Sequence, residues 1–226
     1  MQTESETPAA RLGIVVVDDH PMVRECLAEV INHEPDLHVC GEADDRAQAL
    51  EIISRTRPAL VIVDLKLKHS HGLELIKDLT AAYAETRILV VSMQEESLYA
   101  ERVIRAGAHG YITKQEATRK IMQAIRKVLA GEVYLSEALA TQVAARILGR
   151  SRATAPASVD SLADRELQVF ELIGRGYSTR QIAEDLRLDV KTIETYRARI
   201  KEKLHLKDAR ELLQTAIAWA RDRTAR

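Results

Sequence analysis

Ala59-Leu60-Val61-Ile62-Val63-Asp64 runs apolar for five residues and stops at a carboxylate. Leu65-Lys66-Leu67-Lys68-His69-Ser70-His71-Gly72 follows and is polar enough for a loop. A short run rich in Val and Ile suits a strand buried on both faces. An acid at the carboxyl end of such a strand lies where open α/β sheets bind ligands. Alone, Asp64 is as readily an ordinary loop aspartate; the chain on either side decides between the two.

Upstream, Leu12 to Val17 is a second buried strand, ending in Asp18-Asp19. Pro21 suits the first turn of a helix, with Met22, Val23, Cys26, Leu27, Val30 and Ile31 on one face. Leu37 to Cys40 is a short strand. Asp44 or Asp45 caps a helix that carries Ala47, Leu50 and Ile53 inward. Downstream of Gly72 come a helix with Leu75, Ile76 and Leu79, and a strand from Arg87 to Val91 ending in Ser92. A helix from Ser97 to Ala106 stops at Gly107. The brief strand Gly110-Tyr111-Ile112 precedes Thr113-Lys114, and a helix from Ala117 to Ala130 follows. Strands alternating with helices imply βαβ units. The expected fold class is therefore a doubly wound, parallel, five-stranded α/β sheet of flavodoxin-like order 2-1-3-4-5. In that order Asp18, Asp19 and Asp64 converge at one edge, where Ser92 and Lys114 also end their strands.

The totals bound the rest. The chain has 226 residues, 46% of them hydrophobic, with one Phe and one Trp, so aliphatic side chains must fill its cores. Residues 1–148 hold 17 basic and 22 acidic residues, while residues 149–226 hold 16 and 12, so an acidic front precedes a basic back. That asymmetry suggests separate partners. Cys26 and Cys40 make no disulfide framework and no zinc spacing, and read as reduced core thiols. There is no 18-residue apolar run and no signal-peptide core, so a cytoplasmic protein is expected. Residues 1–11 read as a disordered leader, 12–130 as the sheet domain, 131–160 as a linker with an extra helix from Gly131 to Leu148, and 161–226 as a small all-α domain.

Three carboxylates at one sheet edge repel unless something positive neutralises them. A hard divalent cation such as Mg²⁺ does so and also accepts phosphate oxygens. Asp64 could then attack a phosphoryl group, with Ser92 and Lys114 as fixed donors for the developing charge. Singly, Ser92 is a turn residue, Lys114 a surface lysine and Tyr111 a partly buried aromatic. Their joint occurrence, each at the end of its own strand, carries the inference.

Residues 12–130 resemble the receiver domain of bacterial two-component response regulators. The resemblance implies that Asp64 accepts a phosphoryl group from a histidine kinase. It also implies that Asp19, Asp64 and the Lys66 carbonyl bind Mg²⁺ directly and Asp18 through water. Ser92 would turn toward the phosphoryl oxygen, Lys114 would pair with it, and Tyr111 would swing inward as a switch. Two departures stand out. Lys68 replaces a frequent proline, adding positive charge and flexibility to the acceptor loop. Gln115 replaces another, leaving the geometry of the Lys114–Gln115 bond open.

From Leu162 the pattern is helical. Thr179 to Leu186, a tight turn, and Val190 to Leu204 satisfy helix-turn-helix logic. Ser178-Thr179-Arg180-Gln181 fits a capping box, and Asp189 caps the second helix. Six basic residues (Lys191, Arg197, Arg199, Lys201, Lys203, Lys207) face only Glu194 and Glu202 between positions 190 and 207. Such charge suits phosphate contacts; a solvated face with intrahelical pairs is the plainer account. Leu162-Ala163-Asp164-Arg165-Glu166, Lys191-Thr192-Ile193-Glu194-Thr195-Tyr196-Arg197 and Lys203-Leu204 resemble the LuxR-type output domain, so the whole chain looks like a NarL/FixJ-class regulator. That resemblance implies Lys191, Glu194, Thr195 and Ala198 on the DNA-facing side and Thr179, Arg197 and Lys201 near phosphates. It further implies a homodimer formed on phosphorylation. Ala163 stands where a capping Ser or Thr is usual, so Ser161 or Asp164 is left to cap. Two rivals are a metal-dependent phosphohydrolase, for which no second acid follows Asp64, and a constitutive DNA-binding protein whose front domain only dimerises.

Overall fold

The structure is a computed structural model that describes residues 11–68, 70–93, 96–137, 139–141 and 159–224. The chain divides into two compact units, Met1–Ala144 and Ala145–Arg226. No helix among the described residues is long and apolar enough to cross a membrane.

The first unit alternates β1 (Leu12–Val17), α1 (Pro21–Asn32), β2 (Leu37–Ala43), α2 (Arg46–Thr56), β3 (Leu60–Val63), α3 (Gly72–Ala82), β4 (Arg87–Ser92), α4 (Glu96–Arg105), β5 (Gly110–Thr113) and α5 (Lys114–Leu129). The five strands are parallel, as the alternation of periods predicts, and lie in the expected doubly wound order β2-β1-β3-β4-β5. Ile14 to Val17, Leu60 to Val63 and Ile88 to Val91 are all buried. Apolar residues on both faces leave these strands no place but the middle of a two-sided sheet. Removing that much aliphatic surface from water is the main driving force for the unit.

Several local readings are corrected. Strand β2 continues past Cys40, because a bulge between Ile14 and Val15 in the β1–β2 register inserts one extra residue and breaks the alternation. Helix α1 turns Val23, Leu27 and Ile31 toward the core and leaves Met22, Cys26 and Val30 exposed. Cys26 is therefore no core thiol, while Cys40 is half-buried. Helix α2 buries Ala49 and Ile53, and Ala47 is exposed. Both helices have a narrower inward stripe than their apolar residues suggest. Asp45, rather than Asp44, caps α2, accepting from the Gln48 amide. Helix α5 begins at Lys114, with the Thr113 hydroxyl capping it, and the chain has no cis peptide bond at Lys114–Gln115.

The extra helix does not begin at Gly131. Residues 132–136 are not helical; Tyr134 donates its amide to the His109 carbonyl, and its own carbonyl accepts from the Tyr111 amide at 2.8 Å. Helix is seen at 137 and 139–141, and residues 142–158 lie outside the described residues.

The second unit has a 3₁₀ turn (Val159–Ser161) and helices α6 (Asp164–Gly174), α7 (Thr179–Leu186), α8 (Val190–Lys203) and α9 (Ala209–Thr224). Phe170, Leu167, Ile173, Ile182, Ile193, Ile200, Leu212 and Ala216 are buried. Phe170 meets Trp219 edge to face at 5.5 Å. Ser178 and Gln181 form the expected capping box at α7. At α6 only half of such a box exists. Glu166 accepts from the Ala163 amide at 2.7 Å, and alanine has no oxygen to return.

Candidate functional site

The parallel register brings the ends of β1 and β3 together, with Val17 paired to Val63, so the residues after them share one rim. Asp18 and Asp64 are buried, and Asp19 is partly exposed. Ligand atoms from Asp18, Asp19, His20 and Asp64 lie within 4.8 Å of one another. Lys114, at the first turn of α5, reaches across this group. Its Nζ is 2.6 Å from Asp18 Oδ2 and 2.7 Å from Asp64 Oδ2. The Ser92 hydroxyl, also buried, hydrogen-bonds Asp64. The Lys66 amide donates to Asp64 Oδ1 at 3.3 Å. The structure thus brings Asp18, Asp19, Asp64, Ser92 and Lys114 together.

Burial pushes the Asp64 carboxyl above its ordinary value, and the Asp18 charge adds to that, while Lys114 and Ser92 pull it back. For Lys114, burial acts to lower the pKa, but bonds to Asp18 and Asp64 outweigh it and hold the ammonium above its usual range. The site is a compensated cluster of two buried acids and one cation, so any incoming cation competes with Lys114 for the same oxygens. The donors are all hard oxygens except the His20 imidazole, which fits a small divalent cation such as Mg²⁺ held through carboxylates and water.

Tyr111 is fully buried at the centre of β5.

Sequence reasoning missed three neighbours of the site. His20 Nδ1 lies 2.6 Å from Asp19 Oδ1 and 3.2 Å from Asp18 Oδ1. Arg24 Nη1 donates to the Asp18 carbonyl at 2.6 Å and its Nε faces Glu42 at 3.4 Å, bracing the loop after β1. The third is the acceptor loop. Lys68 is not a source of slack there. Its amide donates to the Asp44 carbonyl at 3.2 Å and its Nζ to Asp44 Oδ2 at 3.1 Å. The Arg46 amide donates to Ser70 Oγ at 3.2 Å. His20 and Arg24 follow the acid pair directly, which is a usable signal; the contact from Lys68 to Asp44 spans 24 residues and leaves none. Gly72 is required where the loop closes, since a Cβ there would stand 2.1 Å from the Asp64 carbonyl oxygen.

In the second unit, α8 buries Ile193 and Ile200 against its neighbours. Lys191, Glu194, Thr195 and Ala198 are exposed at helical spacing, one continuous outward face. Thr179, Arg197 and Lys201 are half-buried. Burial lowers the Arg197 pKa, with Glu194 partly restoring it. Lys203 is half-buried, its Nζ 2.7 Å from the buried Glu166. It is committed to the fold and drops out of the six-residue basic set.

Residues 14–126 match the response regulator receiver domain family, and residues 160–216 match the bacterial regulatory proteins of the luxR family. The response regulator GacA of Pseudomonas aeruginosa is 34% identical over 206 residues, covering 91% of this chain and 95% of GacA. A crystal structure of a LuxR-family two-component response regulator from Aurantimonas sp. is 33% identical, with a TM-score of 0.56, over 62% of this chain and 99% of that one. RcsB from Salmonella enterica serovar Typhimurium, solved bound to the promoter rprA with the phosphomimetic BeF₃⁻, shares the fold. It is 21% identical, with a TM-score of 0.64 over 90% of this chain and 97% of that one.

Proposed function

This chain belongs to the two-component response regulators that join a receiver domain to a LuxR-type domain, and from that premise we propose that Asp64 is its phosphoacceptor. An Asp64 carboxylate oxygen attacks the phosphorus of a phosphohistidine on a partner kinase. The O–P bond forms, the N–P bond breaks and the imidazole departs. Lys114 and Ser92, both already bonded to Asp64, then hold the added oxygens. Asp19, Asp64, the Lys66 carbonyl and, through water, Asp18 are the residues that would hold Mg²⁺. The cation supplies charge neutralisation for the incoming phosphoryl group. The observation that carries the proposal is the Lys114 ammonium seated between two buried carboxylates, a charge balance that one added phosphoryl group overturns.

The output is double-stranded DNA, read by α8. Lys191, Glu194, Thr195 and Ala198 face base edges in the major groove, and Thr179, Arg197 and Lys201 serve phosphates. Phosphorylation promotes a homodimer whose two α8 helices address two half-sites. The chain regulates transcription in the cytoplasm and turns over no substrate of its own.

Intact-mass and gel-shift measurements with and without acetyl phosphate test this. Wild type should gain one phosphoryl mass and bind DNA more tightly, and Asp64→Asn should do neither. Equal DNA binding by wild type and Asp64→Asn, unmoved by acetyl phosphate in either, would favour a constitutive DNA-binding protein instead.

A further inference from the structure

The acceptor loop between β3 and α3 carries the Lys66 carbonyl, a cation ligand in the reading proposed above, yet the loop has no proline, and from Leu65 to His71 every residue but the two leucines is polar. Part of its restraint is internal, since Lys66 bridges His71 and both Leu65 and Leu67 are buried, and the rest comes from the loop after β2. Lys68 meets Asp44 twice, amide to carbonyl at 3.2 Å and Nζ to Oδ2 at 3.1 Å. Two residues further on, Ser70 Oγ accepts from the Arg46 amide at 3.2 Å. The far end of that strap is itself anchored. Asp44 donates its amide to Gln48 at 2.9 Å, and Arg46 Nε bonds Asp78 Oδ2 on α3 at 2.5 Å. On the other side of the loop, the Gly72 amide closes onto the Leu65 carbonyl at 2.8 Å.

We propose that Lys68 and Asp44 are positioning residues for the cation site, their ion pair strapping the acceptor loop so that the Lys66 carbonyl faces the acids. The inference rests on the reading of Asp64 and its neighbours as a cation and phosphoryl site. It makes a prediction opposite in sign to the plain electrostatic one. Lys68 is a positive charge near a cation pocket, so its field alone opposes Mg²⁺ binding, and neutralising it should tighten the site. As a strap, Lys68 lowers the disorder that binding must otherwise remove, and neutralising it should weaken the site. The pair is partly solvated, with side chains 57% and 33% exposed. Its effect is therefore modest and screened by salt.

The test is Mg²⁺ titration of the full unphosphorylated chain by calorimetry, at low and high ionic strength, for wild type, Lys68→Met, Asp44→Lys, and the exchanged pair Lys68→Asp with Asp44→Lys. In low salt the Lys68→Met and Asp44→Lys variants should each bind several-fold more weakly, on the order of the ~0.5–1 kcal/mol of an exposed pair. The exchanged pair should return to within about twofold of wild type, a rescue that the loss of a generic contact would not give. In high salt the difference between wild type and Lys68→Met should shrink. Tighter binding by Lys68→Met, or no recovery in the exchanged pair, overturns the strap. Wild type that binds no Mg²⁺ removes the cation site itself and the strap with it.

Discussion

Lys203 Nζ lies 2.7 Å from Glu166 Oε2, joining the last turn of α8 to the first turn of α6. Glu166 is buried, and the same oxygen accepts from the Ala163 amide. One carboxylate thus satisfies the Ala163 amide at the start of α6 and holds the Lys203 ammonium at the end of α8, tying the two helices together. Glu166→Ala should destabilise the second unit by about 1–2 kcal/mol through loss of the cap and of the charged bond. Trp219, the chain's one tryptophan, reports that unit alone, so its fluorescence in urea is the measurement. An unchanged midpoint would count against the pairing.

Lys114→Met should raise Mg²⁺ affinity while abolishing the response of DNA binding to acetyl phosphate. The cation that competes for Asp18 and Asp64 is removed, and so is the donor that would read the phosphoryl group. Calorimetry and gel shift check the two halves separately. A weaker Mg²⁺ site in the variant would contradict the competition.

His109 supplies a pH dependence. Arg87 Nη1 stands 3.0 Å from its Nε2, and the Ile88 amide donates toward its Nδ1 at 3.2 Å. A neutral ring has one acceptor nitrogen and can take one of these donors, whereas a protonated ring can take neither. Burial, aided by the Arg87 charge, lowers its pKa. With the folded value below the unfolded value of about 6.5, the folded state binds fewer protons. The stabilisation is complete above the unfolded value and is lost as pH falls through the folded one. Wild type should lose more receiver stability between pH 7.5 and 5.5 than His109→Gln does. Thermal unfolding by circular dichroism, subtracting the transition seen by Trp219, would show it; parallel curves for the two proteins would refute it.

On α8, Lys201→Ala should weaken binding to all DNA sequences alike and lower the dependence of log K on log salt by about 1. Glu194→Gln should change preference at one base pair by about 1–3 kcal/mol with little change in salt slope. Fluorescence anisotropy across a salt series and a panel of single-base variants distinguishes the two. Identical behaviour of both substitutions would dissolve the division between phosphate and base contacts.

The sheet was legible because β1, β3 and β4 are aliphatic on both faces, a pattern that admits few other homes. The acid rim followed from topology, since Asp18 and Asp64 each end a strand and the two strands pair. What escaped were features set across long separations or by helix phase. Met22, Cys26 and Val30 recur every four residues like a core stripe, and only the packing of Val23, Leu27 and Ile31 shows that the core lies on the adjoining face. Lys68 reads as slack because the partner that holds it, Asp44, sits in a different loop. Lys203 reads as one more cation for phosphates because Glu166 lies 37 residues away.

Strand β5 ends the sheet, and a border strand with open amides invites pairing with another molecule. Here Tyr134 lies along that border, shielding it at Gly110 and Tyr111 with the protein's own backbone. A methyl group at position 110 would stand 3.0 Å from both the Tyr134 carbonyl oxygen and its Cβ. Gly110 is therefore what lets the selvage be hemmed. The hem is also the thread that leads out of the receiver, so unpicking it would bare a sticky margin.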